Sequence, residues 1–583
     1  MTQGYTNNIC VQMLIALLKK YEVKRVVVSP GTTNLEFVVG LQHSGDFELI
    51  SAVDERGAAF MACGIAERCG ETVVVTCTEA TASRDYMPGL TKAYYHKLPL
   101  LAVTGVHGYS EIGHLHPQVI DRSVSPKDIF NYKAQLHRVK SNEDFQENEI
   151  MINQALLECS RGGTAHIDLP CTDEAYSFST LNLPDVRMIR RYFPWQVLPE
   201  IPKGRIVVFI GTHVPFDEKT TESIDNFCAS RNAVVFSGKS SGYYGKYRVE
   251  SALAAFQKFE YGMFGDIGLL VHIGEQPADE ATVSRLQKIS SHVWRVSQDG
   301  ELRDPFHKLE NVFAMSERIF FDYYCKSEKN NVYFKECTET VQLLDVPANS
   351  LPFSNVFAAA VCSQRMPKGS FVFLGASNTI RAWSLFRFQA GVKSSSNMGC
   401  RGIDGILSTF LGIASVACES ICYCVLGDLS FFYDMNSLNN TAILGSNVRV
   451  LLVNNNGGGV FKLSGAPGHR FFGDEMTNQF VAAGGHWGNQ SSALVKHYAE
   501  NLGFEYMGAS TKEEFLQQCD RFLSPEMTEK PMFTKDCDER NAFDIAGSLK
   551  KDAGGNAKDI AKVVIKSVAG EKGIHAVKNL LKR

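Results

Sequence analysis

Along the first third of the chain, short apolar runs alternate with longer amphipathic stretches. Residues 8–21 carry apolar positions at helical spacing and predict an opening helix, and VKRVVVSPG (23–31) predicts a buried strand closed by a Pro-Gly turn. The alternation continues with a helix from Leu35, a strand over 47–53, a helix from Glu55, a strand over 72–77, a helix from about Ala82 and a strand over 98–105. Strand and helix taking turns implies right-handed crossovers and a parallel sheet. This first domain is expected to span 1–180, closing after the strand in GTAHIDLP.

The Pro-interrupted segment 181–203 reads as a linker, and a second α/β unit follows over 204–345, with strands predicted at 205–211, 232–238, 266–277 and 292–300. No complete dinucleotide fingerprint with an acidic ribose partner occurs there, so no nucleotide is assigned. A third domain, 351–550, opens with the strand GSFVFLG (369–375). The last segment, 551–583, is Lys-rich with apolar positions at Ile560, Val563, Val564 and Val568, and predicts a solvated amphipathic helix. The fold class expected is α/β, with three doubly wound parallel-sheet domains.

Composition narrows the function classes. A chain of 583 residues exceeds what one core organises, and 44% hydrophobic with 21% charged residues is ordinary for a globular protein. The formal charge of −4 gives no reason to expect nucleic acid or anionic membrane as a partner. The N-terminus MTQGYTNNIC lacks the basic and apolar regions of a signal peptide, no run approaches the roughly 20 apolar residues of a membrane span, and a cytoplasmic location is expected. The 16 cysteines are scattered without a C-x-x-C, and those in apolar contexts (Cys77, Cys159, Cys422, Cys424) read as reduced core residues.

The chemistry concentrates in GDLSFFYDMNSLNNTAILGSNVRVLLVNNNGGGVF, residues 427–461. An apolar strand ends at Gly427-Asp428, a helical segment crosses over, and a second strand ends at Asn454-Asn455-Asn456-Gly457-Gly458-Gly459, so both ends lie at carboxyl edges of strands, where α/β sheets bind ligands. Asp428 offers an anionic oxygen, Asn455 a side-chain carbonyl and Gly457 a backbone carbonyl; with phosphate oxygens and water these complete a magnesium octahedron. A diphosphate is the matching anion for backbone N–H groups at a helix start and a Gly-rich turn, with the Ser430 hydroxyl as a further donor. Against this stands the plain reading that Gly, Asn and Asp are ordinary turn residues.

The spacing 455 − 428 = 27, with Gly-Asp at one end and Asn-Asn at the other, resembles the thiamine diphosphate signature. The strings GDLS, YDMNSL and NNNGGGVF resemble the branch of that superfamily formed by 2-succinyl-5-enolpyruvyl-6-hydroxy-3-cyclohexene-1-carboxylate synthases, the MenD family. The resemblance implies an aminopyrimidine-binding first domain, a mainly structural middle domain and a diphosphate-binding third domain, with thiamine diphosphate and Mg²⁺ as cofactors. It implies cofactor contacts from Glu55, Gly427, Ser430, Ile403, Asn455, Gly458, Val460 and Phe461, and metal ligation by Asp428, Asn455 and Gly457. Glu55, in AVDERGAAFMACGIA, is the implied catalytic residue, hydrogen-bonding the aminopyrimidine ring, a task suited to a carboxylate raised in pKa by burial; an acid in the first turn of a helix is the bland alternative. Ile403 would wedge between the cofactor's rings, although a core isoleucine fits equally. HRFFGDEM resembles the family's mobile loop, whose Phe471-Phe472 pair is expected to close the site.

Departures from the family fall on substrate recognition. Gln118, Ser377 and Arg381 are kept, but Thr33, His107 and Met398 stand where the family carries arginines, and neither Thr nor Met replaces an arginine–carboxylate fork. Arg285, Arg401, His114 and His116 are the candidates to compensate. The resulting expectation is a 2-oxo acid decarboxylase/carboligase acting on a substrate other than isochorismate. A genuine synthase of the MenD type is the alternative, and a non-catalytic protein with this fold a second one. The small-molecule partners are a 2-oxo acid and an unknown acceptor, and the superfamily pattern implies a homodimer or homotetramer with Glu55 of one chain serving the Asp428 site of another.

Overall fold

The computed structural model describes residues 4–171, 176–250, 252, 255–256, 263–276, 280–342, 346–399, 401–440, 445–463, 466–485, 491–526 and 531–536. The predicted C-terminal helix lies outside them. The strand pairs are parallel, and helices separate most consecutive strands in sequence, so the expected α/β class holds. The chain divides into two units, residues 1–196 with 300–314, and 197–299 with 315–583.

In the first unit, β1 (Arg25–Val28), β2 (Glu48–Ser51), β3 (Val73–Cys77), β4 (Leu100–Val106), β5 (Tyr132–Gln135) and β6 (Thr164–Pro170) form one sheet in the order β2-β1-β3-β4-β6-β5. β3, β4 and β6 are buried along their whole length, which is why they read as continuous apolar runs. Helix Ile9–Lys20 packs Leu14 and Leu17 with Phe37, Leu101, Val103 and Ile152 on one side of the sheet. Helix Glu55–Cys69 brings Ala58, Ala59 and Ala62 to the other side, against Val75 and Leu90. The chain runs from β1 to β2 in one direction and returns to β3 in the other, so the topological switch lies between the carboxyl ends of β1 and β3.

Three elements escaped the sequence pattern. Helix Asn142–Ser160 starts at a capping box of Ser141 and Asp144, and β5 is a four-residue edge strand. The segment read as a linker contains β7 (Arg190–Tyr192), which pairs parallel with Asn311–Phe313.

Within β6, His166 is buried, stacked on Phe130 with ring centroids 4.9 Å apart, with Nε2 2.8 Å from the Thr104 hydroxyl. Burial pushes its pKa from 6.5 down to about 4; Asp168 opposes the shift, and the nearby Arg122 and Lys133 add to it. The unfolded chain takes up a proton on this imidazole below about pH 6.5 and the folded chain does not, so stability is lost as pH falls through the window from about 6.5 to 4. At about 1.4 kcal/mol per unit, the contribution is about 3 kcal/mol. His166→Gln is expected to flatten the acid fall of the thermal unfolding midpoint in that window; an unchanged fall would assign the acid sensitivity elsewhere.

In the second unit, β8 (Arg205–Ile210), β9 (Ala233–Ser237), β10 (Arg248–Val249), β11 (Ile267–Ile273) and β12 (Ser290–Val296) lie in the order β10-β9-β8-β11-β12. The partner of β7 in the first unit is β13 (Leu309–Phe313). The second unit also holds a sheet of β14 (Phe371–Leu374), β15 (Lys393–Ser396), β16 (Cys422–Gly427), β17 (Val448–Asn454), β18 (Glu505–Ala509) and β19 (Pro531–Asp536), in the order β15-β14-β16-β17-β19-β18. Its switch point falls between β14 and β16, whose carboxyl ends are Leu374 and Gly427. Cys77, Cys159, Cys422 and Cys424 are buried and free, as expected. No helix among the described residues is long and apolar enough to cross a membrane.

Candidate active site

At the β14/β16 switch point a cavity of about 270 Å³ opens. Its floor is the motif stretch: β16 ends at Gly427, helix Asp428–Asp434 begins at once, and β17 leads into Asn455 and the glycines. The lining brings together Ser377, Arg401, Ile403, Gly427, Asp428, Ser430, Asn455, Gly457, Gly458, Val460 and Phe461 from the sequence-derived set.

Asp428 organises this floor. Its Oδ1 accepts the Leu429 N–H at 2.7 Å and its Oδ2 the Gly457 N–H at 2.9 Å, so one buried carboxylate joins the ends of two strands. Burial raises its pKa, while hydrogen bonds from the backbone of residues 455–457 and Leu429 pull the other way. No cation pairs with it among the described residues. Asn455 Oδ1 is buried and has no hydrogen-bond partner among the described residues. A buried anionic oxygen beside a buried, unused amide oxygen is the donor set of a hard divalent cation, and a metal there would settle both. Gly457 has φ 129°, and a Cβ on it would lie 2.6 Å from the Ala482 carbonyl oxygen, so only glycine serves at this position.

Asn378 went unnoticed in the sequence. It lines the cavity with both amide atoms buried and without a partner among the described residues, and the place of a Cβ on Gly459 lies 2.8 Å from Asn455 Nδ2 and 3.1 Å from Asn378 Nδ2. Its signal was its position directly after Ser377, at the end of β14. Ser377 itself holds the unusual backbone φ 67°, ψ −125° and begins helix Asn378–Trp383. Arg381, on that helix, is exposed and not among the lining residues, and Arg285 lies apart on helix Glu280–Ile289. Met398 is packed into the hydrophobic core with Leu374, Trp383 and Phe388, whereas Arg401, three residues on and at φ 57°, lines the cavity. Phe471 and Phe472 stand exposed on helix Pro467–Met476.

In the first unit, Glu55 sits in the first turn of its helix directly after β2, and Asp54 caps that helix by accepting the Gly57 N–H at 3.1 Å. Glu55 is only partly buried in one chain, against the burial expected for it; burial pushes up the Tyr86 phenol and the Cys77 thiol, and the charge of Glu55 adds a little to both. The Thr33 hydroxyl donates to the Gly105 carbonyl at 2.8 Å, and a Cβ on Gly105 would lie 2.3 Å from the Thr33 carbonyl oxygen. Gln118 is exposed at φ 67° in the loop that also carries His114 and His116, the latter with Nδ1 3.5 Å from Glu111. His107 is half-buried, and Glu79, a residue the sequence left unmarked, binds both its backbone N–H and its ring.

Residues 10–125 match the family described as thiamine pyrophosphate enzyme, N-terminal TPP binding domain. The fold, this match and the relatives below define a thiamine diphosphate-dependent enzyme that works with a divalent metal. Nearly the whole chain is similar to MenD-type enzymes. A 2-succinyl-5-enolpyruvyl-6-hydroxy-3-cyclohexene-1-carboxylate synthase of Phocaeicola vulgatus is 27% identical over 547 residues, covering 91% of this chain and 95% of that one. The synthase of the same name from Bacteroides thetaiotaomicron is 26% identical over 92% and 97% of the two chains, and that of Bacillus cytotoxicus 26% over 76% and 81%.

Proposed function

We propose that the protein decarboxylates a 2-oxo acid and passes the remaining acyl unit to an acceptor other than isochorismate, or releases it as an aldehyde. The observation that carries this is the rearranged cation set: Met398 is turned into the core and Arg401 stands on the cavity wall instead. Moving a guanidinium along a loop changes where a planar carboxylate can dock and therefore which substrate is held in register.

When bound, thiamine diphosphate supplies a carbon nucleophile and an electron sink for the pair left behind by CO₂. Asp428, the Asn455 amide and the Gly457 carbonyl would hold Mg²⁺, and Ser430, Gly427 and Gly458 would receive the diphosphate. Ile403, Val460 and Phe461 give the rings an apolar wall. Glu55 would hold a proton in a hydrogen bond to the aminopyrimidine. Ser377 and Arg401 bind a second anionic group of the oxo acid, as 2-oxoglutarate would offer. On this assignment residues 1–180 bind the aminopyrimidine, 204–345 form the middle domain and 351–550 bind the diphosphate.

Val53, Phe60 and Met61 are exposed apolar residues flanking Glu55, and we assign a second copy of the chain to cover them, so that Glu55 completes the site of its partner in a homodimer or a higher even assembly. The buried free thiols fit a reducing, cytoplasmic location.

The relatives support a second reading, the synthase reaction that their names state, because the likeness extends over nearly their full length. Supplying 2-oxoglutarate with and without isochorismate separates the two. The expected result is CO₂ release independent of isochorismate and no isochorismate adduct by mass spectrometry; adduct formation would establish the second reading.

A further inference from the structure

We propose that Cys362 and Cys519 are a peroxide-responsive dithiol, closing to a reversible disulfide that staples two helices of the second unit. Their sulfur atoms lie 3.8 Å apart, and both side chains are fully buried. A disulfide holds its sulfurs at about 2.05 Å, so closure needs an approach of about 1.8 Å shared between the two side chains. The cysteines stand 157 positions apart in sequence, so no local motif announces the pair.

The packing on either side holds the sulfurs face to face. Cys362 ends helix Asn355–Cys362, and Cys519 lies on the buried face of helix Lys512–Phe522 with Phe515 and Phe522. Before the sulfurs, Phe357 meets Phe515 edge to face, with ring centroids 5.9 Å apart. After them, the Arg365 guanidinium pairs with Asp520, the neighbour of Cys519. An aromatic pair at one end and an ion pair at the other keep the helices side by side. The electrostatics single out one sulfur. Burial pushes up the thiols of Cys159, Cys228 and Cys424. The Cys519 thiol is instead held below its ordinary value by its hydrogen bond with Cys362; burial opposes this, and Arg365 adds to it. The thiolate is the nucleophile toward peroxide, so Cys519 is the attacking sulfur and Cys362 the resolving one.

Peroxide reaches the pair by local opening. Helix Lys512–Phe522 is a surface helix, with Glu513, Glu514, Leu516, Gln517 and Asp520 exposed, and lifting it uncovers Cys519 without unfolding the sheet beneath. The Cys519 thiolate attacks one peroxide oxygen, the O–O bond breaks, and hydroxide leaves and is protonated to water. The Cys362 sulfur then attacks the sulfenic sulfur of Cys519; the S–O bond breaks, and the second oxygen leaves as water with the Cys362 proton. Two thiols and one hydrogen peroxide become one disulfide and two waters, the sulfurs giving up the two electrons that the peroxide takes. The staple reaches the cavity wall through its own helix. Asn355, at the other end of the helix that Cys362 closes, lines the cavity, accepts the Trp383 ring N–H at 3.1 Å and donates to the Thr379 hydroxyl at 3.4 Å.

Peptide mapping of the wild-type protein tests this without a substitution. The protein is exposed to hydrogen peroxide, its remaining thiols are blocked, and it is digested without reductant. Mass spectrometry is expected to find the Cys362 and Cys519 peptides joined, at a rate at least about tenfold above modification of Cys159 or Cys228. Because the bond closes a long loop in the unfolded chain, the oxidised, cofactor-free protein should melt several degrees above the reduced one, and dithiothreitol should reverse the rise. In Cys362→Ser the sulfenic acid on Cys519 loses its resolving partner and should be trapped by dimedone. In Cys519→Ser no dimedone adduct should form at Cys362, and the rise in melting temperature should be absent from both variants. Absence of the joined peptide, or its formation no faster than modification of Cys159, would overturn the proposal. So would a joined protein that melts as the reduced one does.

Discussion

Glu55→Gln is expected to bind thiamine diphosphate and Mg²⁺ as the wild type does, yet to lose about 10²- to 10⁴-fold in turnover. The substitution is nearly isosteric. Asp54, not Glu55, makes the N-cap bond to Gly57, so the helix start is untouched, and Ala58, Ala59 and Ala62 on its inner face keep their packing. What changes is proton sharing: a carboxylate exchanges a proton with a ring nitrogen, and an amide does not. Partial exposure of Glu55 in the single chain also means that the variant leaves no buried polar atom unsatisfied there. Calorimetric titration of the cofactor would show unchanged affinity, and deuterium exchange at its reactive ring carbon would show the collapse in rate. Near-normal exchange in Glu55→Gln would end the role assigned to this residue.

The parts of the molecule that sequence made legible are those whose signals are local. Asp428, Asn455 and Gly457 each sit at the end of an apolar strand within one strand-to-strand crossover, so periodicity and turn chemistry locate them, and one cavity is lined by all three. Helix Glu55–Cys69 announces itself by an acidic cap and a run of alanines. The illegible parts depend on distant partners. Thr33 looks free for a ligand until β4 arrives and its hydroxyl meets the Gly105 carbonyl, 72 residues away in sequence. Glu79 looks like a loop acid until His107 folds onto it. Met398 and Arg401 are three residues apart, and nothing local says that the first turns inward to the core and the second toward the cavity. Strand β7 is three residues long and finds its partner more than a hundred residues later, too little pattern to distinguish it from a linker.

Asp428→Ala is expected to erase the stabilisation that thiamine diphosphate with Mg²⁺ confers. For the wild type, saturation at about 100 times Kd raises unfolding free energy by about 2.7 kcal/mol, which a thermal melt reads as an upward shift. Without the carboxylate, the metal loses its single anionic protein ligand on the cavity floor, and the Asn455 amide with a backbone carbonyl cannot hold Mg²⁺ against its hydration shell. The loss at the fold level is smaller. The Leu429 and Gly457 N–H groups lose their acceptor, but the protein no longer buries an unpaired carboxylate whose charge burial disfavours. The cofactor-free variant should therefore melt close to the cofactor-free wild type, and adding cofactor with metal should move only the wild type. Glu55→Gln, run beside it, should keep the full shift. One variant then loses binding and the other loses turnover, which assigns the metal to the floor of the cavity and the proton to the helix start after β2. A cofactor-dependent shift retained in Asp428→Ala would remove the metal site from this floor.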